Sequence, residues 1–246
     1  MEQRTQREIE ELILHIREVQ GKSFDPAETI QLCILNVIYT LLFGKRTPQT
    51  DPDLKRLLGF LSKTAANYPA VVNHLPLLRF VPYYHKCIQT VLHCIEEQRK
   101  FIGEKIKLCL KEETKETSLV VAFSEKEALD YDRDNLTEVV RQLIIGGSET
   151  TTLTVLWALS LLANRPELQK RLHDEFDSVV PTDRMPCIGD VAQLPFTEAT
   201  ILEVMRLRTL APLAVPHRTM CDTEVAGFYI PRDTVVNIIQ LNKIFH

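Results

Sequence analysis

No block of consecutive basic residues occurs in this chain: 29 Lys and Arg are scattered among 33 Asp and Glu, for a net charge of −4. Nothing here would draw a phosphate backbone or an anionic lipid surface, which argues against nucleic acid as a partner. The six cysteines, Cys33, Cys87, Cys94, Cys109, Cys187 and Cys221, never stand at Cys-x-x-Cys spacing. No charged-then-apolar leader precedes them, so free thiols in a reducing compartment are expected. The seven histidines do not join the cysteines at ligand spacing, which leaves zinc without a site. Long apolar runs are missing as well. Thr29 to Gly44 and Thr150 to Asn164 are the longest stretches without charge or proline, and both carry Asn, Gln or several Thr. They fall short of the roughly 20 apolar residues that cross a bilayer and read as buried core helices. There is no internal repeat and no low-complexity tract.

What is present is a 246-residue chain, 45% hydrophobic and 25% charged, long enough to bury a sizeable core. Ile9, Leu12, Ile13, Ile16 and Val19 recur at helical intervals within Glu2 to Gln20 and end at Gly21. Asp25-Pro26 then starts a mostly apolar helix that stops at Gly44. Asp53 to Ala66 reads as a helix, the prolines between Tyr68 and Pro82 forbid a long one, and Tyr84 to Lys111 resumes the helical period. Lys111 to Asn135 is highly charged, broken only by the apolar run Leu119 to Phe123, and is expected to be a surface connection with little order of its own. Residues 136 to 164 are apolar on nearly every face and should form a central helix surrounded by protein. Helices over 165–180 and 195–207 follow. Thr223 to Ile230 and Thr234 to Ile239, on either side of Pro231-Arg232-Asp233, read as a β-hairpin. The expected fold class is mainly α with a small β-sheet.

Three constellations could carry chemistry. Gly146-Gly147-Ser148-Glu149-Thr150-Thr151-Thr152 lies mid-helix, where each glycine costs about 1 kcal/mol relative to alanine. The helix could end there and restart with Ser148 as its cap, or another helix could cross closely. Alternatively, glycine opens a groove against a flat ligand, and the adjacent carboxylate and hydroxyl make a polar proton path. Glu203 and Arg206 are spaced to pair on one helix, as are Glu96/Arg99 and Glu138/Arg141. The Glu203 copy stands out by its position between Pro195 and Pro212, where burial would make a bidentate arginine a clamp. Pro212 to Thr219 is an apolar, strand-like stretch that ends in the cations His217 and Arg218. These two are either solvated or meet a cofactor carboxylate. An acyl hydrolase built on Ser148 lacks Gly-x-Ser-x-Gly, since Thr150 stands where the second glycine belongs.

In this order and spacing the pieces resemble the cytochrome P450 superfamily, in particular its animal microsomal branch of drug and steroid hydroxylases. Gly146 to Thr151 is similar to the distal-helix motif Ala/Gly-Gly-x-Asp/Glu-Thr-Thr/Ser, and Glu203 with Arg206 to the family's Glu-x-x-Arg. Supporting matches are Asn164-Arg165-Pro166-Glu167, Met185-Pro186-Cys187, Leu194 to Ala199, Pro216 to Thr219 and Tyr229 to Thr234. The resemblance covers essentially the whole chain and implies a single partial cytochrome P450 domain over 1–246. Its helical part would be 1–194, and 195–246 would hold the Glu-x-x-Arg helix and the hairpin.

The resemblance further implies that Thr150, helped by Glu149, delivers protons for O–O cleavage at a haem. Gly146 and Gly147 would admit the haem and substrate, and Glu203 and Arg206 would brace the haem-binding core as a buried clamp. His217, with Arg218 beside it, would meet a haem propionate; Leu143, Leu213, Ala214 and Val215 would line a pocket for a lipophilic substrate such as a steroid, fatty acid or xenobiotic. Electrons would come from an NADPH-dependent reductase, at the cytoplasmic face of the endoplasmic reticulum. The family's ligand loop, Phe-x-x-Gly-x-Arg-x-Cys-x-Gly, does not occur among these 246 residues, and neither does an N-terminal membrane anchor. Without the thiolate the chain is expected to be inactive on its own and its haem binding doubtful. The competing expectation is a non-enzymatic truncated product or helical interaction module.

Overall fold

The structure is a computed structural model that describes residues 1–111, 118–125, 133–212 and 214–239. Nine α-helices occupy the described residues: α1 (Glu2–Glu18), α2 (Ala27–Phe43), α3 (Pro52–Asn67), α4 (Val71–His74), α5 (Pro82–Lys111), α6 (Leu119–Glu125), α7 (Arg133–Ala163), α8 (Pro166–Val179) and α9 (Pro195–Leu207). Short 3₁₀ turns lie at Pro76–Phe80 and Ile188–Gln193. The chain forms two compact units, Met1–Thr152 and Leu153–His246, and the boundary falls within α7.

Local chemistry accounts for the helix ends. Asp25 accepts the N–H of Ala27 at 2.9 Å, and α2 stops at Gly44, which turns left-handed (φ 70°) and donates its N–H to Thr40 at 2.9 Å. Asp51 caps α3 through the N–H of Asp53 at 2.7 Å, with Pro52 in the first turn. The prolines between Tyr68 and Pro82 leave room only for α4 and one 3₁₀ turn.

The N-terminal unit holds the core. Leu35, Tyr39, Leu42 and Phe43 of α2 pack with Leu54, Leu57 and Leu61 of α3, Phe101, Ile102 and Ile106 of α5, and Leu136, Val140 and Ile144 of α7. Val120 of α6 is fully buried in the same cluster, with Leu119, Val121 and Phe123 packed against it. For Leu119 to Phe123 this corrects the expectation of a surface connection with little order, because four apolar residues dock against the other helices of the core; residues 112–117 and 126–132 lie outside the described residues. In α1 the residue that is buried is Glu8, not the apolar stripe. Its carboxylate accepts Asn36 Nδ2 at 2.8 Å and Arg46 Nε at 2.6 Å, and Arg46 also pairs with Glu11.

In the C-terminal unit, Leu194 and Val204 are the buried apolar residues among those described. The sheet expectation needs correcting. β2 (Thr223–Val225) pairs antiparallel with β3 (Phe228–Ile230) across Ala226-Gly227, both at positive φ (52° and 84°), as a tight two-residue hairpin requires. Pro231-Arg232-Asp233 instead leads to β4 (Val235–Val236), which pairs with β1 (His217–Arg218). The hairpin therefore closes one turn earlier than Pro-Arg-Asp suggests.

Candidate functional site

Helix α7 runs unbroken through Gly146-Gly147, so it neither ends nor restarts at Ser148. The two glycines have different surroundings. A Cβ on Gly147 would come within 2.8 Å of Ile38 Cδ1, so this glycine admits the close crossing of α2. A Cβ on Gly146 would meet nothing within 4 Å. Of the two glycines, Gly146 faces open space and Gly147 packs against Ile38 of α2. Leu143, Gly146 and Thr150, at three- and four-residue steps, share one exposed face; Ile144, Ser148 and Thr152 are buried on the other side.

Three hydroxyls on α7 bond back one turn: Ser148 Oγ donates to the carbonyl of Ile144 at 2.6 Å, Thr150 Oγ1 to Gly146 at 2.6 Å, and Thr152 Oγ1 to Ser148 at 2.7 Å. Ser148 is fully buried, so no substrate carbonyl can reach it as a nucleophile. The Thr150 hydroxyl, by contrast, sits on the open face, directly over the Gly146 carbonyl. Glu149 beside it is half-buried, and burial raises its carboxyl pKa above the ordinary value, which favours a group that carries a proton.

The three Glu-x-x-Arg spacings take different fates. Arg206 binds Glu203 bidentately, Nε to Oε2 at 2.7 Å and Nη2 to Oε1 at 2.6 Å, so the pair forms as expected. It is not buried: the two side chains are 39% and 51% exposed. In this structure the pair is therefore solvated. Bonding to Arg206 draws the Glu203 carboxyl below its usual pKa. Glu138 and Arg141 are the more enclosed pair, 28% and 13% exposed. Arg141 Nε reaches Glu138 at 3.0 Å, Arg99 of α5 adds a bond at 3.2 Å, and Gln142 one at 3.1 Å. Arg141 foremost pulls the Glu138 carboxyl down to about 2. Glu96 and Arg99 do not pair with each other: Arg99 goes to Glu138 and Glu96 lies 4.0 Å from Lys100.

His217 and Arg218 form β1, exposed, opposite Val236 and Val235. Leu213 lies outside the described residues. Ala214 is half-buried with φ 50°, and Val215 is exposed, so the strand-like reading of this stretch holds only for His217–Arg218. The cysteines are all free thiols. Cys33 is buried, and desolvation, with the charges of Glu8 and Glu11 added, pushes its thiol up to about 11. Cys109 Sγ lies 3.5 Å from the carbonyl of Phe43, to which it donates. Both sit in helices rather than in a ligand loop. Among the described residues no three His, Cys, Asp or Glu side chains group as a metal site, and no helix is long and apolar enough to cross a membrane.

Sequence reasoning missed the residues that fix the C-terminal helices. Arg184 grips Asp190 bidentately, 2.7 Å at each end, and Asp190 also accepts the N–H of Cys187 at 2.8 Å. Glu175 of α8 reaches the first turn of α9. These partners are six and about twenty residues apart, and no helical period connects them.

Comparison with known proteins meets this geometry from another direction. The family model described as Cytochrome P450 matches residues 1–242. Human cytochrome P450 2U1 is 30% identical over 225 residues, 87% of this chain and 41% of its own length. Dog cytochrome P450 2D15 is 32% identical over 240 residues, covering 89% and 46%. Bovine cytochrome P450 2E1 is 29% identical over 259 residues, covering 100% and 52%. The chain spans about half, or less, of the length of these relatives. With a family model that runs over nearly all of its residues, on a helical frame carrying the glycine-threonine turn and the Glu-x-x-Arg pair, this chain belongs to the cytochrome P450 family.

Proposed function

We propose that these residues are part of a haem-thiolate monooxygenase that inserts oxygen into a lipophilic small molecule such as a steroid, fatty acid or xenobiotic, drawing electrons from an NADPH-dependent reductase at the endoplasmic reticulum. The observation that carries this reading is the open face of α7, where Gly146 leaves room for a flat group and Thr150 stands one turn along with its hydroxyl over the Gly146 carbonyl. When bound, a haem with a thiolate ligand supplies the activation of dioxygen. The chain's own residues supply position and protons. Thr150 Oγ1 donates its proton to the Gly146 carbonyl, so it can pass a proton outward only by turning while accepting another. Glu149, whose carboxyl pKa is raised by burial, is the neighbouring source. Leu143 offers an apolar wall on the same face, and Leu213, Ala214 and Val215 are assigned to the substrate. In the C-terminal unit we assign His217 and Arg218 to the haem propionates, and Glu203 with Arg206 to bracing the core.

The 246 residues alone are proposed to be inactive, since none of the six cysteines lies in the ligand-loop pattern. The carbon monoxide difference spectrum of the purified chain with added haemin tests both parts. The long-wavelength Soret band after which the family is named should not form, and its appearance would overturn the proposed inactivity. Haemin binding that is indifferent to Gly146→Leu would remove α7 from the site.

A further inference from the structure

Every backbone donor in the first turn of α9 is accounted for, and the account runs through another helix. The N-cap residue is Leu194, which has no side-chain acceptor, and Pro195 at the first helical position has no N–H. Phe196 and Thr197 donate their N–H groups to Oε1 and Oε2 of Glu175, each at 2.8 Å. The Thr197 hydroxyl adds a bond to Oε2 at 2.6 Å, and the N–H of Glu198 goes to the carbonyl of Leu194 at 3.0 Å. One turn earlier on α8, the Arg171 guanidinium carbon lies 4.0 Å from the centroid of the Phe196 ring. Residues 171 and 175 thus grip the same turn. Desolvation pushes the Glu175 carboxyl up, but its bonds with Thr197 and Phe196 together outweigh it and the net shift is down.

This grip matters because α9 has little else. It is 13 residues long, and Val204 is its buried residue. Isolated helices shorter than about 12–15 residues are marginal in water. A carboxylate that accepts two orphan N–H groups at the positive end of the helix dipole is therefore a large share of what keeps it formed. We propose that Glu175 is a positioning residue: by capping α9 from α8, it holds that helix in register and with it the bidentate Glu203–Arg206 pair two turns on. The proposal rests on the reading of Glu203 and Arg206 as a brace of the haem-binding core, and it names the residue on which that brace depends.

The test is amide and side-chain NMR on the 246-residue chain, wild type against Glu175→Ala and Thr197→Val. In Glu175→Ala, exchange of the Phe196 and Thr197 amides should speed up about 5- to 30-fold, the range that corresponds to loss of a cap. The Arg206 Nε–H resonance should move toward the position of an unpaired arginine. Thr197→Val, which deletes one bond of the three, should shift both signals the same way by less. The amides of Leu35 and Val180 should keep their protection and so report that both units remain folded. Deprotection of Phe196 and Thr197 with an unmoved Arg206 signal would reduce Glu175 to a local cap and overturn the proposal. Unchanged exchange at Phe196 and Thr197 would overturn it outright. Should Glu175→Ala unfold the C-terminal unit, Thr197→Val decides alone, and no shift at Arg206 refutes positioning. Haemin that binds away from α7 would sink the functional reading yet leave these signals as they are, so the two failures are distinct.

Discussion

Replacing the two adjacent glycines of α7 one at a time should have opposite consequences for packing. Alanine is favoured over glycine in a helix interior by about 1 kcal/mol. At Gly146 nothing opposes that gain, because the added Cβ meets no atom within 4 Å. Gly146→Ala should therefore stabilise the chain by about 1 kcal/mol, or roughly 2–4 °C for a protein of this size. At Gly147 the Cβ would meet Ile38 Cδ1 at 2.8 Å and Cγ1 at 3.5 Å. The Ile38 tip is mobile and can yield, but leaving its rotamer costs about 0.5–1.5 kcal/mol, which offsets the propensity gain. Gly147→Ala should thus be close to neutral. Ile38→Val removes Cδ1 at a cost of about 0.5–1.5 kcal/mol in the wild-type background. Combined with Gly147→Ala it should show a favourable coupling of about 1 kcal/mol, since the clash has gone. Urea denaturation followed by far-UV circular dichroism measures all four corners of the cycle. Strict additivity, or a Gly147→Ala variant as stabilised as Gly146→Ala, would refute the claim that α2 crosses at Gly147 and leaves Gly146 open.

Other consequences can be checked in the same way. Glu138, held at about 2 by Arg141, Gln142 and Arg99, has a folded pKa below its unfolded value. Its contribution to stability is complete above about pH 4.5 and is lost as the pH falls toward 2. Glu138→Gln should remove that acid-limb dependence in a pH series of urea midpoints, and an unchanged slope would contradict the assignment. Glu149 has the opposite sign: its pKa is raised by burial, so its ionisation costs stability above the unfolded value. Glu149→Gln should accordingly raise the neutral-pH midpoint, and a lowered midpoint would count against burial as the cause. Val120→Ala should cost about 2 kcal/mol if α6 is a core element; a loss under about 0.5 kcal/mol would restore the surface-connection reading. Arg206→Ala should move the urea midpoint less than Arg141→Ala, because the Arg141 pair is the more enclosed of the two. The reverse order would contradict the solvated state of the Glu203–Arg206 pair.

The helices that the sequence made legible are those whose signals are local. The stop at Gly44 and the proline-broken segment before α5 depend on neighbours within four residues, and the structure has both. The glycine-threonine turn and Glu-x-x-Arg were legible as motifs because their spacing survives without any tertiary information. What stayed hidden depends on distant partners. Leu119 to Phe123 is too short to show a helical period, and only the gap between α2 and α5 makes it part of the core. The hairpin was misplaced because Pro-Arg-Asp is a louder turn signal than Ala226-Gly227, whose positive φ values fix the actual turn. Gly147 and Gly146 look alike in sequence, and Ile38, more than a hundred positions earlier, separates their roles. Glu175 reads as one more charge on an amphipathic helix until the first turn of α9 is seen to lack a cap of its own.

The central claim is that the Leu143–Gly146–Thr150 face of α7 lies against a porphyrin. Ferric haemin is paramagnetic and broadens nearby resonances, so titrating it into the labelled chain while following the α7 amides tests that claim most directly. The account predicts selective broadening at Leu143, Gly146 and Thr150, with Ile144 and Ser148 on the buried side affected less. Broadening centred on Ile144 and Ser148, or haemin that binds and broadens other amides while leaving those of α7 sharp, would contradict it.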